Sequence, residues 1–391
     1  MPPIDTQISA LLPALTTLRH ELHQRPELGF EEYETQRRVT DYLRTLGYDP
    51  QPCAKTGVIA DLNPGRGGRC VALRADMDCL PMQETTDLPY RSVLDGRAHK
   101  CGHDGHTAAL LGTASILAEM REEIDGNVRL IFQPAEEGVD GGGARVMVEE
   151  AALDGVDEIY AFHNWPGFSR GVAHVCAGPI MASVHDLVFE IRGVGGHASQ
   201  PQVTRDPVVA GAALITALQS VVSRNISATD AAVLSICTFQ GGEANNVIPA
   251  HARLTGTLRT FDSDVAEQIV DRIRAICGGI ASCYDVRIEP EIEALYPVLI
   301  NHADCAEAVR EVAGSILGPK NVTEEGLPLA AAEDFGRFTE RVPGAYFFLG
   351  AGENADSPGC HHPDFDFDDQ LLPMAMRLFV RLVENRVGVR P

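Results

Sequence analysis

The chain has 391 residues, of which 45% are hydrophobic and 22% charged, and its formal net charge is −23. A chain of this length is longer than a domain with a single hydrophobic core usually is, so we predict two domains. The acidic balance excludes the basic face that a phosphate backbone requires, so we expect no nucleic-acid partner.

Four short, almost wholly apolar runs predict strands, and each leads into polar residues. They are 71–74 before Asp76 and Asp78, 127–133 before Glu136 and Glu137, 158–162 before His163, and 345–349 before His361. Such runs are typical of strands covered on both faces, so we predict an α/β fold, with helices on both faces of a mostly parallel sheet. Ligands bind beyond the carboxyl ends of such strands, and these residues are expected to form one site.

The stretch from 185 to 294 has a different pattern. Its predicted elements are a strand at 186–192, a helix at 207–224, strands at 232–239 and 252–261, a helix at 263–282 capped by Asp262 or Ser263, and a strand at 285–294. The order β-α-β-β-α-β is that of a ferredoxin-like unit. We therefore predict an inserted lid or dimerisation domain, residues 185–294, within a discontinuous metal-binding catalytic domain of residues 1–184 and 295–391.

The densest polar cluster is HKCGHDGH, residues 99–106, directly before a predicted helix. Cys101 and His103 offer thiolate and imidazole groups, which suit zinc and similar divalent metals. Taken alone, the cluster is also compatible with a polar loop that caps a helix. His99 and His106 either orient ligands or are solvated loop residues.

Glu136 and Glu137 are adjacent carboxylates at a strand end, where like charges need a cation or a proton. One carboxylate on a metal and one on the attacking water is a natural division of roles. With Cys101 and the histidines, the strand ends offer enough ligands for two metal ions. No GxSxG motif is present, which argues against a serine hydrolase.

Nine motifs appear in an order that resembles the M20 metallopeptidase family, and within it the aminoacylase/hippurate hydrolase branch, which includes auxin-conjugate hydrolases. They are LRADMDCLP (73–81), HKCGHDGHT (99–107), QPAEEG (133–138), HNWP (163–166), GGHAS (195–199), NVIP (246–249), GTLRTF (256–261), AAEDF (331–335) and HHPDFDF (361–367). Together with RHELHQRPELGFEE at 19–32, they extend the resemblance over nearly the whole chain.

The resemblance implies a centre of two divalent metal ions, Zn²⁺ or Mn²⁺, with Co²⁺ or Ni²⁺ as further options. It implies as metal ligands Cys101, His103, Glu137, His163 and His361. Glu136 matches the general base, and Asp76 matches a carboxylate that supports the metal site. The neighbouring His362 is predicted to be a loop residue.

The resemblance also implies roles for three residues of the inserted domain. His197 looks like a histidine that reaches the oxyanion from a partner subunit, so we expect a homodimer or a dimer-based homo-oligomer. Asn246 and Arg259 are expected to contact the carbonyl or carboxylate of the substrate. Without the resemblance, Asp76 would be a strand-end cap and Arg259 an exposed charge. Glu333 and Asp334 are expected to begin a helix, with a role in the substrate pocket as the alternative.

The resulting functional prediction is metal-dependent hydrolysis of the amide bond of a small N-acyl amino acid, such as hippurate or an N-acetyl amino acid. The nearest alternative is a metallo-dipeptidase or carboxypeptidase of the same family. The more distant one is a non-catalytic metal-binding protein, whose signature would be loss of Glu136 or of a ligand, and these are intact.

The spacing of the cysteines and the length of the apolar runs indicate the cellular compartment of the protein. The ten cysteines have no paired spacing, which is typical of reduced thiols, and Cys70, Cys237 and Cys277 are predicted to be buried. Residues 1–21 lack the pattern of a signal peptide. No apolar run approaches the ~20 residues of a membrane helix, so no membrane partner is expected. We therefore predict a cytoplasmic protein.

Overall fold

The computed structural model describes residues 3–138, 141–352 and 357–390. The α-helices among them are α1 Ile4–Gln24, α2 Tyr33–Thr45, α3 His103–Glu119, α4 Gly143–Glu149, α5 Pro207–Asn225, α6 Ser263–Tyr284, α7 Ala303–Leu317, α8 Gly336–Thr339 and α9 Leu371–Val387. The strands are β1 Gln51–Cys53, β2 Gly57–Leu62, β3 Cys70–Asp76, β4 Asn127–Gln133, β5 Glu158–Ser169, β6 Ala173–His174, β7 Gly178–Met181, β8 Ser183–Arg192, β9 Gly196–His197, β10 Ala232–Gly241, β11 Val247–Ile248, β12 His251–Thr260, β13 Arg287–Tyr296, β14 Leu299–Asn301, β15 Val322–Thr323 and β16 Gly344–Gly352.

The chain divides into two compact units. The larger contains residues 1–180, 300–327 and 334–391, and the smaller contains residues 181–299 and 328–333.

The larger unit is built on an eight-stranded sheet in the order β1-β2-β4-β3-β5-β16-β6-β15. The four central strands, β4, β3, β5 and β16, are mutually parallel, whereas β1 and β2 are antiparallel to their neighbours. All seven residues of β3 are buried, as expected for a strand covered on both faces. The predicted α/β class with a mostly parallel sheet is therefore confirmed.

Successive side chains of the central strands point to opposite faces, and both sets are buried. On β16, Phe347 packs in the main core with helices α1, α3, α7 and α9. Its neighbour Tyr346 faces the other way, and its ring centroid lies 5.3 Å from that of Phe335 at the start of α8. Because both faces of these strands are covered, a ligand site is expected beyond their carboxyl ends.

The smaller unit has a four-stranded antiparallel sheet in the order β10-β12-β8-β13. In chain order its main elements run β8-α5-β10-β12-α6-β13, and α5 and α6 pack together on one face of the sheet. Asp206 and Asp262 cap the two helices, since each side chain accepts two backbone N–H groups of the first turn.

Two predictions about apolar segments were wrong. They were that no apolar run approaches the length of a membrane helix and that Cys237 is buried. Helix α5 is, by length and composition alone, apolar enough to cross a membrane. One face of the helix, with Ala210, Leu214 and Leu218, is buried in the core of the smaller unit, whereas Val209 on another face is exposed. Cys237 is exposed, unlike Cys70 and Cys277. It lies at a register shift of β10, an edge strand of its sheet, where apolar neighbours in sequence do not ensure burial.

Candidate metal centre

The loop before α3 brings two predicted ligands together. Gly102, between Cys101 and His103, has a φ of 107°. A Cβ atom at this position would lie only 2.1 Å from Asn164 Oδ1. Glycine is therefore required here both for the left-handed backbone and for the close approach of Asn164.

Cys101, His103 and His163 form the first ligand group, in which the three ligand atoms lie within 4.8 Å of one another. Cys101 Sγ is 3.3 Å from His163 Nε2. Tetrahedral zinc would hold a thiolate and an imidazole nitrogen about 3.5 Å apart. His163 Nδ1 donates to the carbonyl of Asn164 at 2.6 Å, which leaves the Nε2 lone pair available to a cation.

Cys101, Glu137 and His361 form the second ligand group, again within 4.8 Å. His361 Nε2 lies 3.4 Å from Glu137 Oε1, and 55% of the His361 side chain is exposed. The His361 backbone has a φ of 66°, a conformation that a non-glycine residue adopts only when its surroundings enforce it. The two groups share the thiol of Cys101.

His103 is surrounded by acidic groups. Its Nδ1 donates to the Asp78 carbonyl at 2.9 Å, while its Nε2 lies 3.9 Å from both Glu136 Oε2 and Glu137 Oε1. Burial opposes protonation of the ring, but Asp76, Asp78 and Glu137 outweigh it and raise the pKa of His103 to about 10. The surroundings of this ring therefore favour a positive charge.

Cys101 and His163, the other two members of the first group, are held in their neutral forms. Hydrogen bonding with Cys360, burial and the nearby Glu137 raise the pKa of the Cys101 thiol. Burial and the neighbouring His106 lower the pKa of His163, so its ring is neutral. A bound cation would favour the Cys101 thiolate and release its proton, because metal binding competes with protons for the ligands.

Two atoms test whether a metal fits here. Among the buried side-chain atoms of the described residues, His103 Nε2 and Glu137 Oε1 lack a hydrogen-bond partner. Buried polar atoms without partners are rare in native proteins. The two atoms lie 3.9 Å apart and also belong together to a third group, His103, Glu136 and Glu137, so the overlapping groups offer ligand atoms that fit divalent metal ions.

Asp76 has partners that fix its carboxylate. Its Oδ1 accepts from His106 Nδ1 and its Oδ2 from Arg74 Nη1, both at 2.6 Å. Burial opposes ionisation, but His103, Arg74 and His106 hold the pKa of Asp76 well below its usual range. His106 is itself buried, with Nε2 2.6 Å from Asn164 Oδ1. His106 is thus a buried residue of the site and not a solvated loop residue.

Asp78 and Asp334 have roles in the structure that the sequence did not predict, although Asp78 was expected at the site. Asp78 orients two predicted ligands, because its carbonyl accepts from His103 Nδ1 and its Oδ2 accepts from the backbone N–H of Glu137 at 2.9 Å. Its position two residues beyond Asp76 was the available signal. Helix α8 begins only at Gly336, and the Asp334 carboxylate accepts instead from the N–H of Ala144 and from Gln133 Nε2.

The smaller unit holds the three remaining predicted residues. His197 is exposed and pairs with Val247 across β9 and β11. Its neighbour Ala198 donates its N–H to the Asn246 carbonyl at 3.0 Å, which places His197 and Asn246 side by side. Arg259 Nη1 donates to the Ala330 carbonyl at 2.8 Å.

Comparison with known proteins identifies the family. A model of peptidase family M20/M25/M40 matches residues 72–385. The chain belongs to this family.

This M20 protein is similar to several enzymes over most of its length. It is 40% identical to N-acetylcysteine deacetylase of Bacillus subtilis (strain 168), over 94% of this chain and 95% of that protein. It is 39% identical to hippurate hydrolase of Campylobacter jejuni (93% and 94% covered) and 36% identical to thermostable carboxypeptidase 2 of Saccharolobus solfataricus (91% and 91%). A solved Bacillus subtilis structure, described as a dinuclear metal-binding peptidase of family M20, is 34% identical with a TM-score of 0.83 and covers 96% of this chain and 98% of its own.

These similarities confirm the predicted M20 family, its aminoacylase/hippurate hydrolase branch and the amidohydrolase class. The dinuclear neighbour and the ligand groups support two divalent metal ions. The roles of individual residues stay predictions.

Proposed function

We propose that this M20 protein hydrolyses the amide bond of a small N-acyl amino acid and releases a carboxylic acid and a free amino acid. The observation that carries the proposal is the position of Glu136 beside both ligand groups. Its Oε2 lies 3.9 Å from His103 Nε2, and Glu137 follows it directly. Relatives that act on N-acetylcysteine and hippurate support the substrate class.

The proposed ligands are Cys101, His103, Glu137, His163 and His361. Bound zinc or manganese, or alternatively cobalt or nickel, would lower the pKa of a water molecule and polarise the amide carbonyl. Glu136 would take a proton from the attacking water as the water oxygen bonds to the amide carbon, and would deliver that proton to the amine as the C–N bond breaks. Asp76 holds the site through His106 and Arg74.

His197 is proposed to stabilise the oxyanion from the partner subunit of a homodimer or dimer-based homo-oligomer. Its Nδ1 accepts from the backbone N–H of Ser199 at 3.1 Å. The ring proton of the neutral imidazole therefore lies on Nε2, which can donate to a developing oxyanion. Asn246 beside it would contact the carbonyl.

Arg259 is proposed to bind the free carboxylate of the substrate. A guanidinium has five N–H donors in a rigid plane, and the hydrogen bond to Ala330 fixes that plane. We also propose a cytoplasmic location, which the ten free cysteines support.

The second candidate function is that of a carboxypeptidase, which the 36%-identical relative of that name favours. It uses the same chemistry and differs in the substrate that fits the pocket.

A substrate panel separates these functions. The metal-free protein is reconstituted with zinc, manganese, cobalt or nickel, and released amino acid is measured from N-acetyl amino acids, N-benzoyl amino acids and dipeptides. We expect turnover of the N-acyl amino acids to exceed that of the dipeptides with at least one metal. Preferential cleavage of dipeptides would favour the peptidase, and bound metal without any turnover would favour a non-catalytic protein.

A further inference from the structure

We infer that Lys100 is a positioning residue that joins the two loops carrying the ligands of the second group, Cys101 and His361. The inference rests on the proposed metal centre. It concerns a residue that lies between ligands in sequence but offers no ligand atom itself.

Lys100 contacts the His361 loop at two points. Its backbone carbonyl accepts the N–H of His361 at 2.6 Å. Its Nζ donates to the carbonyl of Phe365, four residues further along, at 2.7 Å. Because Lys100 precedes Cys101 directly, these two hydrogen bonds tie the segment of one ligand to the segment of another.

The ammonium group of Lys100 is buried and has a fixed counter-charge. The whole residue is 0% exposed, and Nζ lies 2.8 Å from Glu84 Oε1. Glu84 is held in turn by the backbone N–H of Ser92 at 2.7 Å and by His23 Nε2 at 3.2 Å. These partners fix the position of the buried ammonium group, since moving it would leave Glu84 and the Phe365 carbonyl without their hydrogen-bond donor.

The two ligand groups differ in their need for this support. His103 begins helix α3 and His163 lies within β5, and both side chains are buried. His361 is the exposed ligand and has a left-handed backbone. Loss of the Lys100 side chain should therefore weaken metal binding by the Cys101–Glu137–His361 group and spare the other group.

The test is a zinc titration of metal-free protein against a competing chelator, with bound zinc counted by elemental analysis. Wild type is compared with Lys100→Met and with Lys320→Met, which removes an exposed lysine by the same chemical change. We expect Lys100→Met to bind one zinc as tightly as wild type and the second about 10–100-fold more weakly, the usual effect of removing a group that orients a ligand. Lys320→Met should match wild type.

A double variant decides whether Lys100 acts through His361. Lys100→Met added to His361→Ala should cause no further loss of zinc affinity, because the side chain of Lys100 contacts the His361 segment, which then no longer holds a ligand. Should Lys100→Met not fold, Glu84→Gln, which neutralises the carboxylate that Lys100 and His23 share but keeps an acceptor oxygen, should weaken the second zinc selectively. Unchanged affinities, or equal weakening of both sites, would overturn the inference. Wild type that binds fewer than two zinc ions would overturn the metal centre itself.

Discussion

Glu136 and Glu137 are adjacent residues of the same type for which we propose different roles. The backbone N–H of Glu137 is fixed by Asp78, and its carboxylate lies 3.4 Å from the His361 ring. The Glu136 carboxylate approaches His103 at 3.9 Å and forms a ligand group with His103 and Glu137, but it does not belong to the group with Cys101 and His361. We propose that Glu137, which shares a ligand group with Cys101 and His361, binds a cation and that Glu136 exchanges a proton.

Replacing each glutamate by glutamine separates these roles. Glu136→Gln should lower kcat by about 10²–10⁴-fold, the usual contribution of a positioned base, with metal content unchanged. Glu137→Gln should lower metal content instead, because an amide is a poorer ligand than a carboxylate. Steady-state kinetics and elemental analysis of both variants provide the comparison. Near wild-type turnover of Glu136→Gln would remove Glu136 from the role of base.

Gly102 permits a second prediction at this scale. Gly102→Ala must adopt a positive φ and also displace Asn164, whose Oδ1 would lie 2.1 Å from the new Cβ. Gly155→Ala is the matched control, since Gly155 also has a positive φ, 76°, but has open space around it. We expect the control to lose about 1–2 kcal/mol in free energy of unfolding. Gly102→Ala should lose more and bind metal more weakly, as measured by urea denaturation and zinc titration. Equal losses would mean that Asn164 moves aside at no cost.

Among the elements, helix α1 contacts the first turn of α3, in which the proposed ligand His103 lies. Arg19 and His23 lie one turn apart on α1, and both reach Asp104, which follows the proposed ligand His103. His23 Nδ1 is 2.9 Å from Asp104 Oδ2, and its Nε2 is 3.2 Å from Glu84 Oε1. Both ring nitrogens can donate to these carboxylates only when the ring is protonated.

This arrangement predicts a pH dependence of stability. Burial opposes protonation of His23, but Asp104 and Glu84 outweigh it and raise its pKa from 6.5 to about 9. A pKa that is higher in the folded state means that the contribution of His23 is complete below pH 6.5 and is lost as the pH rises through 9. The corresponding loss is on the order of 3 kcal/mol between pH 6 and 10. Urea denaturation of the metal-free protein across this range would measure it.

A comparison of variants isolates His23 from other titrating groups. His23→Gln should show a flatter decline of unfolding free energy between pH 7 and 10 than wild type. His174→Gln is the control, because burial lowers the pKa of His174 and its ring is already neutral in this range. An unchanged slope in His23→Gln would contradict the protonated bridge.

At the scale of the whole molecule, local sequence patterns predicted the residues that follow buried strands. They did not predict contacts between residues that lie far apart in the sequence. Apolar runs followed by Asp76, Glu137 and His163 predicted the sheet and the convergence of these residues at the carboxyl ends of its strands. The hydrogen bond between Lys100 and Phe365 joins residues 265 positions apart, and no spacing in the sequence indicates it. Exposure of Cys237 was missed for the related reason that edge position depends on strand order.

The proposed contribution of His197 from a partner subunit can be tested by mixing two defective chains. Homodimers of Glu136→Gln and of His197→Ala should each be nearly inactive. A hybrid dimer contains one site with both defects and one with neither. Random association of equal amounts makes about half of the dimers hybrid, so about a quarter of wild-type activity should return. The measurement is the rate of N-acyl amino acid hydrolysis after co-expression with two different affinity tags.

The control mixes Glu136→Gln with the double variant Glu136→Gln/His197→Ala, which can form no intact site. If His197 acted within its own chain, every subunit of the hybrid would still hold one defect, and the mixture would stay inactive. Recovery therefore requires that the histidine and the base come from different chains. The exposed position of His197, with Nε2 as its proton-bearing nitrogen, fits a group that completes its function on another molecule.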